Sequence, residues 1–268
     1  RDFGAGLPTT PEGKHPLVFR YGAHTDAVCD LTDPGRVTTW SQTKMVISLA
    51  HSSSSWTKSP TMFPTAAPTM WHSALPSGAW GIWTASSWGA SSPLQWDDVS
   101  GNNRHANVTR GTPSLGSADG ISFVQGGTAD GVRFPTGSIP FSFTIFVVAR
   151  YKPGASAKKR IFDAITPLNT LHGFYNGKSG VVYYGGSWKT AQTDRSIGDE
   201  WLVIGGQNGG TQMILVNGIN RATGSGGAGG GTLTINHGKS TGERSEWQVR
   251  DVVVWDRSLT DTEMSAAS

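Results

Sequence analysis

The segment Asp199–Arg221, DEWLVIGGQNGGTQMILVNGINR, carries the clearest fold signal in the sequence. Its pattern predicts a strand over Trp201–Ile204, a glycine-rich turn over Gly205–Gly210 and a second strand over Thr211–Val216. The pair Asn217-Gly218 follows, which is a strong local hairpin signal because both positions of a type I′ turn need positive φ. The second strand carries apolar side chains on both faces. That pattern is typical of a strand in the middle of a β-sandwich.

The composition supports an all-β protein. The chain has 268 residues, enough for one large β domain or for a domain with an extension. Only 15% of the residues are charged, and there are 36 glycines, 14 prolines and 11 tryptophans. Low charge with many turn residues favours a turn-rich β fold over helical bundles and α/β enzymes.

The charge pattern gives no sign of nucleic-acid binding. The net charge is +3, and the basic residues that cluster in sequence are Arg150, Lys152, Lys158, Lys159 and Arg160. We interpret this cluster as a solvated hairpin, because nucleic-acid recognition usually needs a broader basic surface. No run of 18 apolar residues exists, so the sequence predicts no membrane span.

The first 75 residues differ from the rest. Short strands are predicted at Leu17–Tyr21 and Lys44–Ala50, between proline-rich and serine-rich tracts. We expect residues 1–75 to be an extended arm that wraps a neighbour or links to the domain; an entirely disordered arm is the alternative. The single Cys29 excludes an internal disulfide, so its thiol is buried, free at the surface, or half of an intermolecular bridge.

From about Ala79 onwards, short apolar runs alternate with turn residues every ~8–12 positions, the spacing of a β-sandwich. The period-2 pattern of Phe141–Arg150 indicates a half-buried strand. Near the C-terminus, Thr260 and Glu263 form a predicted capping box, with Leu259 and Met264 placed as a hydrophobic staple. A short helical turn is therefore expected to close the domain.

Three stretches resemble one family. Trp96–Ala106 (WDDVSGNNRHA) resembles the W-x-D-x-SGN-x-x-HA segment of LamG-like, pentraxin-like domains in the concanavalin A-like lectin/glucanase superfamily. Glu200–Gly218 resembles the hairpin of that family, and Val249–Glu263 resembles its closing strand and capped turn. The resemblance covers roughly residues 76–268 and implies a jelly-roll sandwich of two antiparallel sheets. Members bind glycans, proteins or calcium, and some are structural modules, so the fold alone does not settle function.

The sequence offers no set of catalytic residues. The glucanase branch of the superfamily carries an E-x-D-x-E strand, which is absent here. The adjacent pairs Asp97-Asp98 and Asp199-Glu200 would point to opposite faces of a strand, whereas glycoside hydrolysis needs two carboxylates facing one substrate. We therefore predict that the protein is not an enzyme. A polysaccharide hydrolase whose site is assembled from distant residues is the last alternative.

Calcium is the one ion considered, and no other cofactor is predicted. Asp97, Asp98 and Asn102 are close in sequence and offer the oxygen ligands that calcium prefers. The competing interpretation is that Asp98, Ser100 and Asn102 hold a turn through bonds to the backbone.

A glycan-stacking face is predicted from His172, Tyr183, Tyr184 and Trp188, which share one hairpin-like stretch. The competing interpretation is core packing, because aromatic side chains are usually buried or half-buried. Six other tryptophans are assigned to the core: Trp80, Trp83, Trp96, Trp201, Trp247 and Trp255.

The sequence leaves several functions open. Asn107-Val108-Thr109 is an N-glycosylation sequon, usable in a secretory protein. Our leading hypothesis is an extracellular or cell-surface interaction or structural module, whose partners are other proteins of an assembly, glycans, or both. The alternatives are a glycan-binding lectin, with or without help from calcium, and a structural subunit of a large complex in an organellar lumen.

Overall fold

The computed structural model describes residues 17–20, 26–29, 75–92, 94–165, 167–192, 199–211, 214–239 and 242–268. The chain divides into two compact units, residues 1–62 and residues 63–268. In the first unit, β1 (Leu17–Arg20) and β2 (Asp26–Cys29) form an antiparallel pair. The strand predicted at Lys44–Ala50 lies outside the described residues, and the arm boundary at residue 75 stays a prediction.

The second unit is built almost entirely of antiparallel strands, as predicted. Its elements are β3 (Gly81–Trp88), β4 (Gln95–Asp98), β5 (Ala106–Arg110), β6 (Ser114–Ala118), β7 (Ile121–Gly126), β8 (Gly131–Arg133), β9 (Thr144–Tyr151), β10 (Phe162–Ala164), β11 (Thr170–Tyr175), β12 (Lys178–Tyr184), β13 (Ser187–Trp188), β14 (Leu202–Gln207), β15 (Ile214–Val216), β16 (Ile219–Asn220), β17 (Leu233–Ile235), β18 (Trp247–Trp255) and α1 (Asp261–Ala266).

These strands form the two layers of a β-sandwich. The front layer has the order β13-β12-β11-β10-β17-β8-β5, and the back layer has the order β3-β18-β9-β14-β15-β16 with β7 also beside β18. Strand β4 pairs with both β3 and β5 and so joins the layers at one side. At the other side, a bridge between Thr190 and Ala222 joins them. The two layers are therefore connected through β4 at one side and by a single bridge at the other, and β13 and β16 remain the ends of the strand order.

The interior lies between the layers. Rings from the two layers meet edge to face: Phe134 contacts Trp83 with centroids 4.7 Å apart, and Phe174 contacts Tyr151 at 5.2 Å. The close fit also depends on Gly173, where an added Cβ would lie 2.7 Å from Ile204 Cδ1 of the opposite layer. Fully buried side chains of this size supply most of the hydrophobic stabilisation of such a domain.

A second apolar cluster lies on the outer side of the back layer. It is made of Phe146, Val148, Leu215, Val253, Trp255, Leu259, Met264 and Ala267, all buried. Met264 of α1 and its C-cap residue Ala267 complete the cluster, and the helix begins at the predicted capping box. Thr260 Oγ1 accepts from the Glu263 amide, and Glu263 Oε2 accepts from the Thr260 amide. The helix thus closes the back layer, as the sequence predicts.

The strands and the Asn217-Gly218 turn predicted within Asp199–Arg221 are present, but one predicted turn is misplaced. Asn217 and Gly218 have φ values of 48° and 74° and turn β15 into β16. The predicted turn over Gly205–Gly210 starts too early, because Gly205 and Gly206 continue β14. A Cβ on Gly205 would lie 2.2 Å from the Phe146 ring, so glycine is used here for close packing within a strand.

Candidate functional site

The outer surface of the front layer carries side chains from seven neighbouring strands. Residues directly opposite one another in an antiparallel pair point to the same side of the sheet. The observed register therefore places one row of side chains across this surface, on the side away from the core. We call this surface the front face; its row is Asn107, Arg133, Thr234, Asp163, Leu171, Tyr183 and Trp188.

Three aromatic rings meet at one end of the front face. The ring centroids of Tyr183 and Trp188 are 5.3 Å apart, and those of Tyr175 and Trp188 are 5.6 Å apart. All three side chains are half-buried, so each ring keeps part of its surface open to solvent. We call these residues the aromatic cluster.

Two tight turns place these rings side by side. Gly185-Gly186 joins β12 to β13 with φ values of 54° and 107°, and this turn sets Trp188 opposite Tyr183. Asn176-Gly177 joins β11 to β12 with φ values of 50° and 78°, which brings Tyr175 to the same side. Positive φ at both central positions is the signature of turns whose twist matches that of paired strands.

A polar network borders the aromatic cluster. The Tyr175 hydroxyl donates to Glu243 Oε1 at 3.3 Å, and Arg160 Nε lies 2.5 Å from Glu243 Oε2. Arg160 Nη1 also donates to Asn169 Oδ1 at 2.7 Å and to Asp163 Oδ1 at 3.3 Å. Burial and the nearby Glu243 carboxylate raise the pKa of Tyr175. The tyrosine is therefore held as a neutral hydrogen-bond donor at physiological pH.

Residues 236–239, which follow β17, pack on the middle of the front face. A Cβ on Gly238 would lie 2.3 Å from Asp163 Cγ, so only glycine allows this approach. Asn236 anchors these residues: its Nδ2 donates to the carbonyls of Gly127 and Ser245, and its Oδ1 accepts from the Ser245 amide. Thr234 and Asp163 are buried in this middle part, whereas the two ends of the row are accessible.

Two of the four residues predicted for glycan stacking are in the interior instead. His172 and Tyr184 are each 0% exposed, with their rings parallel and His172 Nδ1 2.7 Å from the Tyr184 hydroxyl. The Ile204 carbonyl can only accept from His172 Nε2, so Nδ1 accepts from Tyr184. Burial lowers the pKa of His172 to about 4. The predicted face is corrected to Tyr183 and Trp188, because a strand alternates its sides and Tyr184 follows Tyr183.

The predicted calcium ligands are engaged in hydrogen bonds. The Asp98 carboxylate accepts from the amides of Ile82, Ser100 and Arg104 and from the Ser100 hydroxyl. Burial alone would raise the pKa of Asp98, but these bonds outweigh it and lower the pKa. This geometry fits the turn-holding interpretation.

The other two candidates do not converge with Asp98. Asp97 is on the opposite side of β4 and accepts from Ser91 and Gln95, while the Asn102 amide group donates to the carbonyls of Ala79 and Trp80. Within the described residues, no group of three or more His, Cys, Asp or Glu side chains is arranged to hold a metal ion.

The remaining predicted positions fall in different places. Asn107 of the sequon is exposed in β5, and Thr109 is exposed two residues later. Cys29 is the last residue of β2, and its side chain lies outside the described part of the structure. Of the six tryptophans assigned to the core, Trp80 and Trp201 are half-buried and the other four are fully buried.

Most of the basic side chains between Arg150 and Arg160 make specific contacts. Lys158 Nζ lies 2.6 Å from Asp199 Oδ1, and Arg150 donates to Gln248 while stacking 4.5 Å above the Trp201 ring. Arg160 is bound by Glu243 and Asp163 as described above. These contacts support the interpretation of the cluster as local structure.

A cleft of about 830 Å³ lies beside residues 75–80 on the back layer. Hydroxyl side chains of Thr84, Ser86 and Ser100 line it, together with Trp80. The Arg104 guanidinium lies 4.1 Å from the Trp80 ring centroid and donates to the Trp80 carbonyl. One side of that ring is therefore already occupied, whereas the aromatic cluster of the front face offers three adjacent rings.

Tyr175 was missed in the sequence, although a signal for it exists. Asn176-Gly177 predicts a two-residue hairpin, and its register pairs Tyr175 with Lys178. An irregularity in the pairing between Gly173 and Phe174 then shifts the register relative to Tyr183. Only the structure shows that Tyr175 and Trp188, which lie on different strands, make contact.

Comparisons with known proteins agree on the fold. No family model matches the sequence, and no curated protein matches it. Domain 4 of AbnA, an extracellular GH43 arabinanase from Geobacillus stearothermophilus solved in complex with arabinotriose, is similar over 71% of this chain and 98% of its own, with a TM-score of 0.55 and 14% identity.

Two further solved structures are similar. Trypanosoma rangeli sialidase matches 72% of this chain with a TM-score of 0.52 and 15% identity, and the match covers 33% of the sialidase. The binding domain of Paraclostridial Mosquitocidal Protein 1 matches 69% of this chain and 50% of its own, with a TM-score of 0.50 and 13% identity. At these identities, the likeness establishes the fold.

These comparisons contradict one prediction. The absence of an E-x-D-x-E strand led us to predict that the protein is not an enzyme, yet the similar structures include a sialidase and a domain of an arabinanase. The glucanase motif is thus the wrong criterion, because similar domains occur in enzymes of other kinds, here an arabinanase and a sialidase.

Among the described residues, no helix has the length and hydrophobicity needed to cross a membrane.

Proposed function

We propose that this chain is a glycan-binding module with a LamG-like, pentraxin-like sandwich, and that it binds sugar through the aromatic cluster of the front face. The observation that carries the proposal is the contact of three half-buried rings, Tyr175, Tyr183 and Trp188, at the accessible end of one sheet. Sugar rings present apolar C–H faces, and aromatic side chains with an apolar body and a polar tip suit such surfaces.

The polar border supplies the hydrogen bonds that fix a sugar in one orientation. Tyr175 presents a hydroxyl, while Glu243 and Asn169 present oxygen acceptors already ordered by Arg160. Groups that are ordered before binding lose little entropy when the ligand arrives. The cluster therefore combines stacking surface with pre-arranged donors and acceptors.

The comparisons support this proposal. The arabinanase domain was solved with arabinotriose, and the mosquitocidal protein's similar region is named as a binding domain. The arabinanase is extracellular, and Asn107 of the sequon is exposed here. We therefore propose an extracellular location, with glycosylation at Asn107 as a mark of passage through the secretory pathway.

A glycan array followed by calorimetric titration tests the proposal. We expect binding to at least one oligosaccharide class, and Trp188→Ala should weaken it at least tenfold because the central ring of the cluster is lost. Phe141→Ala is the matched control, since Phe141 is an exposed aromatic residue (87%) outside the cluster. The absence of any glycan ligand, or equal losses in both variants, would contradict the proposal.

Calcium is tested in the same titration. We propose that sugar binding does not require it, because both Asp98 oxygens are engaged by protein donors. Affinity should be equal with added calcium and with a chelator, and a chelator-induced loss of binding would restore the calcium-assisted alternative.

A further inference from the structure

The front face also carries a group of basic side chains that come from separate parts of the sequence. They are Arg110 of β5, Arg133 of β8, and His237 and Arg244 of the segment after β17; we call them the cationic patch. Arg133 is exposed, and its register places it between Asn107 and Thr234 on the front face. Arg110 Nη1 donates to the Asn236 carbonyl at 3.3 Å, so Arg110 is held next to His237.

The charges of the cationic patch are not neutralised within the described structure. None of the described carboxylates forms an ion pair with Arg110, Arg133 or Arg244. The Arg244 Nε atom is buried and has no hydrogen-bond partner. Burial, and then the nearby Arg110, Arg133 and Arg244, lowers the pKa of His237. Like charges held this close repel each other, and a bound anion would relieve that repulsion.

Arg133 lies at the other end of the front face from the aromatic cluster, and Arg244 extends the cationic patch to the border of the rings. Arg244 follows Glu243 directly in sequence, and Glu243 accepts from the hydroxyl of Tyr175. The backbone of Arg244 also bridges to that of Arg160, whose guanidinium borders the rings. The carboxylates of Glu243 and Asp163 share the Arg160 guanidinium, which offsets part of their charge.

We propose that the glycan recognised by this face is acidic: its carboxylate or sulfate groups bind to Arg110, Arg133 and Arg244 while its sugar rings stack on the aromatic cluster. This inference rests on the proposed function. Guanidinium groups match carboxylate and sulfate oxygens with paired hydrogen bonds, and charge-assisted bonds of this kind are strong. An uncharged glycan would use only the aromatic end.

Calorimetric titration with two pairs of probes tests the inference. The first pair is an oligogalacturonate and its methyl ester, and the second is a heparin-derived oligosaccharide and its desulfated form. Within each pair the backbone is the same and the charge differs. We expect at least one acidic probe to bind about tenfold or more tightly than its neutral counterpart, and the pair that shows this identifies the carboxylate or the sulfate as the recognised group.

Variants locate the effect. Arg133→Ala and Arg244→Ala should each lower the affinity for the acidic probe about tenfold and leave the affinity for the neutral probe unchanged. Lys152→Ala is the matched control, because it removes one exposed positive charge at the end of β9 in the back layer. Raising the salt concentration should lower the affinity for the acidic probe, and the decrease should be smaller in Arg133→Ala than in the unmodified chain.

The outcomes separate this inference from the proposed function. Equal affinity for charged and uncharged probes, with both lost in Trp188→Ala, would overturn the acidic specificity and keep the glycan module. Acidic binding that is insensitive to both arginines would also overturn the inference. A single-stranded oligonucleotide bound as tightly as the acidic sugar would show a general polyanion surface and contradict both. No binding of any probe would likewise contradict the inference.

Discussion

The two layers of the sandwich bury their inner faces in the same way but use their outer faces differently. On the back layer, Trp255 is fully buried outside the sheet, with Phe146 against its ring and Met264 of α1 in the same cluster. On the front layer, Trp188 ends an edge strand with its ring half-buried beside Tyr175 and Tyr183. Two tryptophans on outer faces therefore have different roles: one closes the fold, and the other is available to a ligand.

This difference shows why fold and function separate in this molecule. The back layer is covered by a segment of the same chain, α1, which the capping box starts at Thr260. The described part of the front layer is covered at its middle by residues 236–239, which leave rings accessible at one end and arginines at the other. A surface that its own chain leaves partly open is accessible to a ligand.

The largest expected effect is on the back layer. Trp255→Ala removes a fully buried ring and the hydrogen bond from its indole to the Pro76 carbonyl at 3.1 Å. We expect a loss of about 3–5 kcal/mol in the free energy of unfolding, measured by chemical denaturation. Trp255→Phe, which keeps part of the ring, should lose less. A loss below about 1 kcal/mol for the alanine variant would show that the back cluster does not close the fold.

Acid should weaken the interior that the two layers share. Burial lowers the pKa of His172 to about 4 in the folded chain, against an ordinary value of 6.5 for a histidine. The folded state thus disfavours protonation, so this contribution is intact above pH 6.5 and is lost as the pH falls from 6.5 towards 4. The loss is on the order of 3 kcal/mol. Unfolding free energies measured across this range should fall more steeply than in His172→Gln; equal slopes would contradict the assignment.

The helix cap that closes the back layer should have a smaller effect. Thr260→Ala removes the hydroxyl that accepts from the Glu263 amide at 3.2 Å. We expect a loss of about 1 kcal/mol in unfolding free energy, because the first turn of α1 then lacks its cap. Ser265→Ala, another hydroxyl deletion in the same helix, is the comparison. Equal effects of the two would mean that the cap does not anchor the helix.

The smallest expected effect on stability is on the front layer. Trp188→Ala should change the unfolding free energy by less than about 1 kcal/mol, since the ring is half-buried at a sheet edge. The same substitution should abolish most glycan binding. Trp255→Ala and Trp188→Ala together form a matched pair for denaturation. A stability loss in Trp188→Ala as large as that in Trp255→Ala would show that both outer faces serve only packing.

The sequence predicts those features that are encoded locally. The Asn217-Gly218 turn, the Thr260 capping box and the all-β class all follow from short patterns, because their physical causes act within a few residues. The predicted turn over Gly205–Gly210 failed for the opposite reason. Glycine is needed at positions 205 and 206 because the side chains of Phe146 and Tyr184, from elsewhere in the chain, leave no room for a Cβ.

The site was predicted only in part. Tyr183 and Trp188 were identified, but their partner Tyr175 depends on a register shift in β11 and β12 that no local pattern reveals. The basic residues show the same limit. The cluster that is contiguous in sequence has cations such as Lys158 bound to carboxylates, whereas the dispersed Arg133 and its neighbours meet only after folding.

The most direct test of the central claim is hydroxyl-radical footprinting of the full chain, with and without the oligosaccharide that binds best. We expect bound sugar to protect Tyr175, Tyr183 and Trp188 from oxidation and to leave the exposed Phe141 unchanged. Protection confined to Phe141 or to the cleft beside Trp80, with the aromatic cluster oxidised as in the free chain, would contradict it.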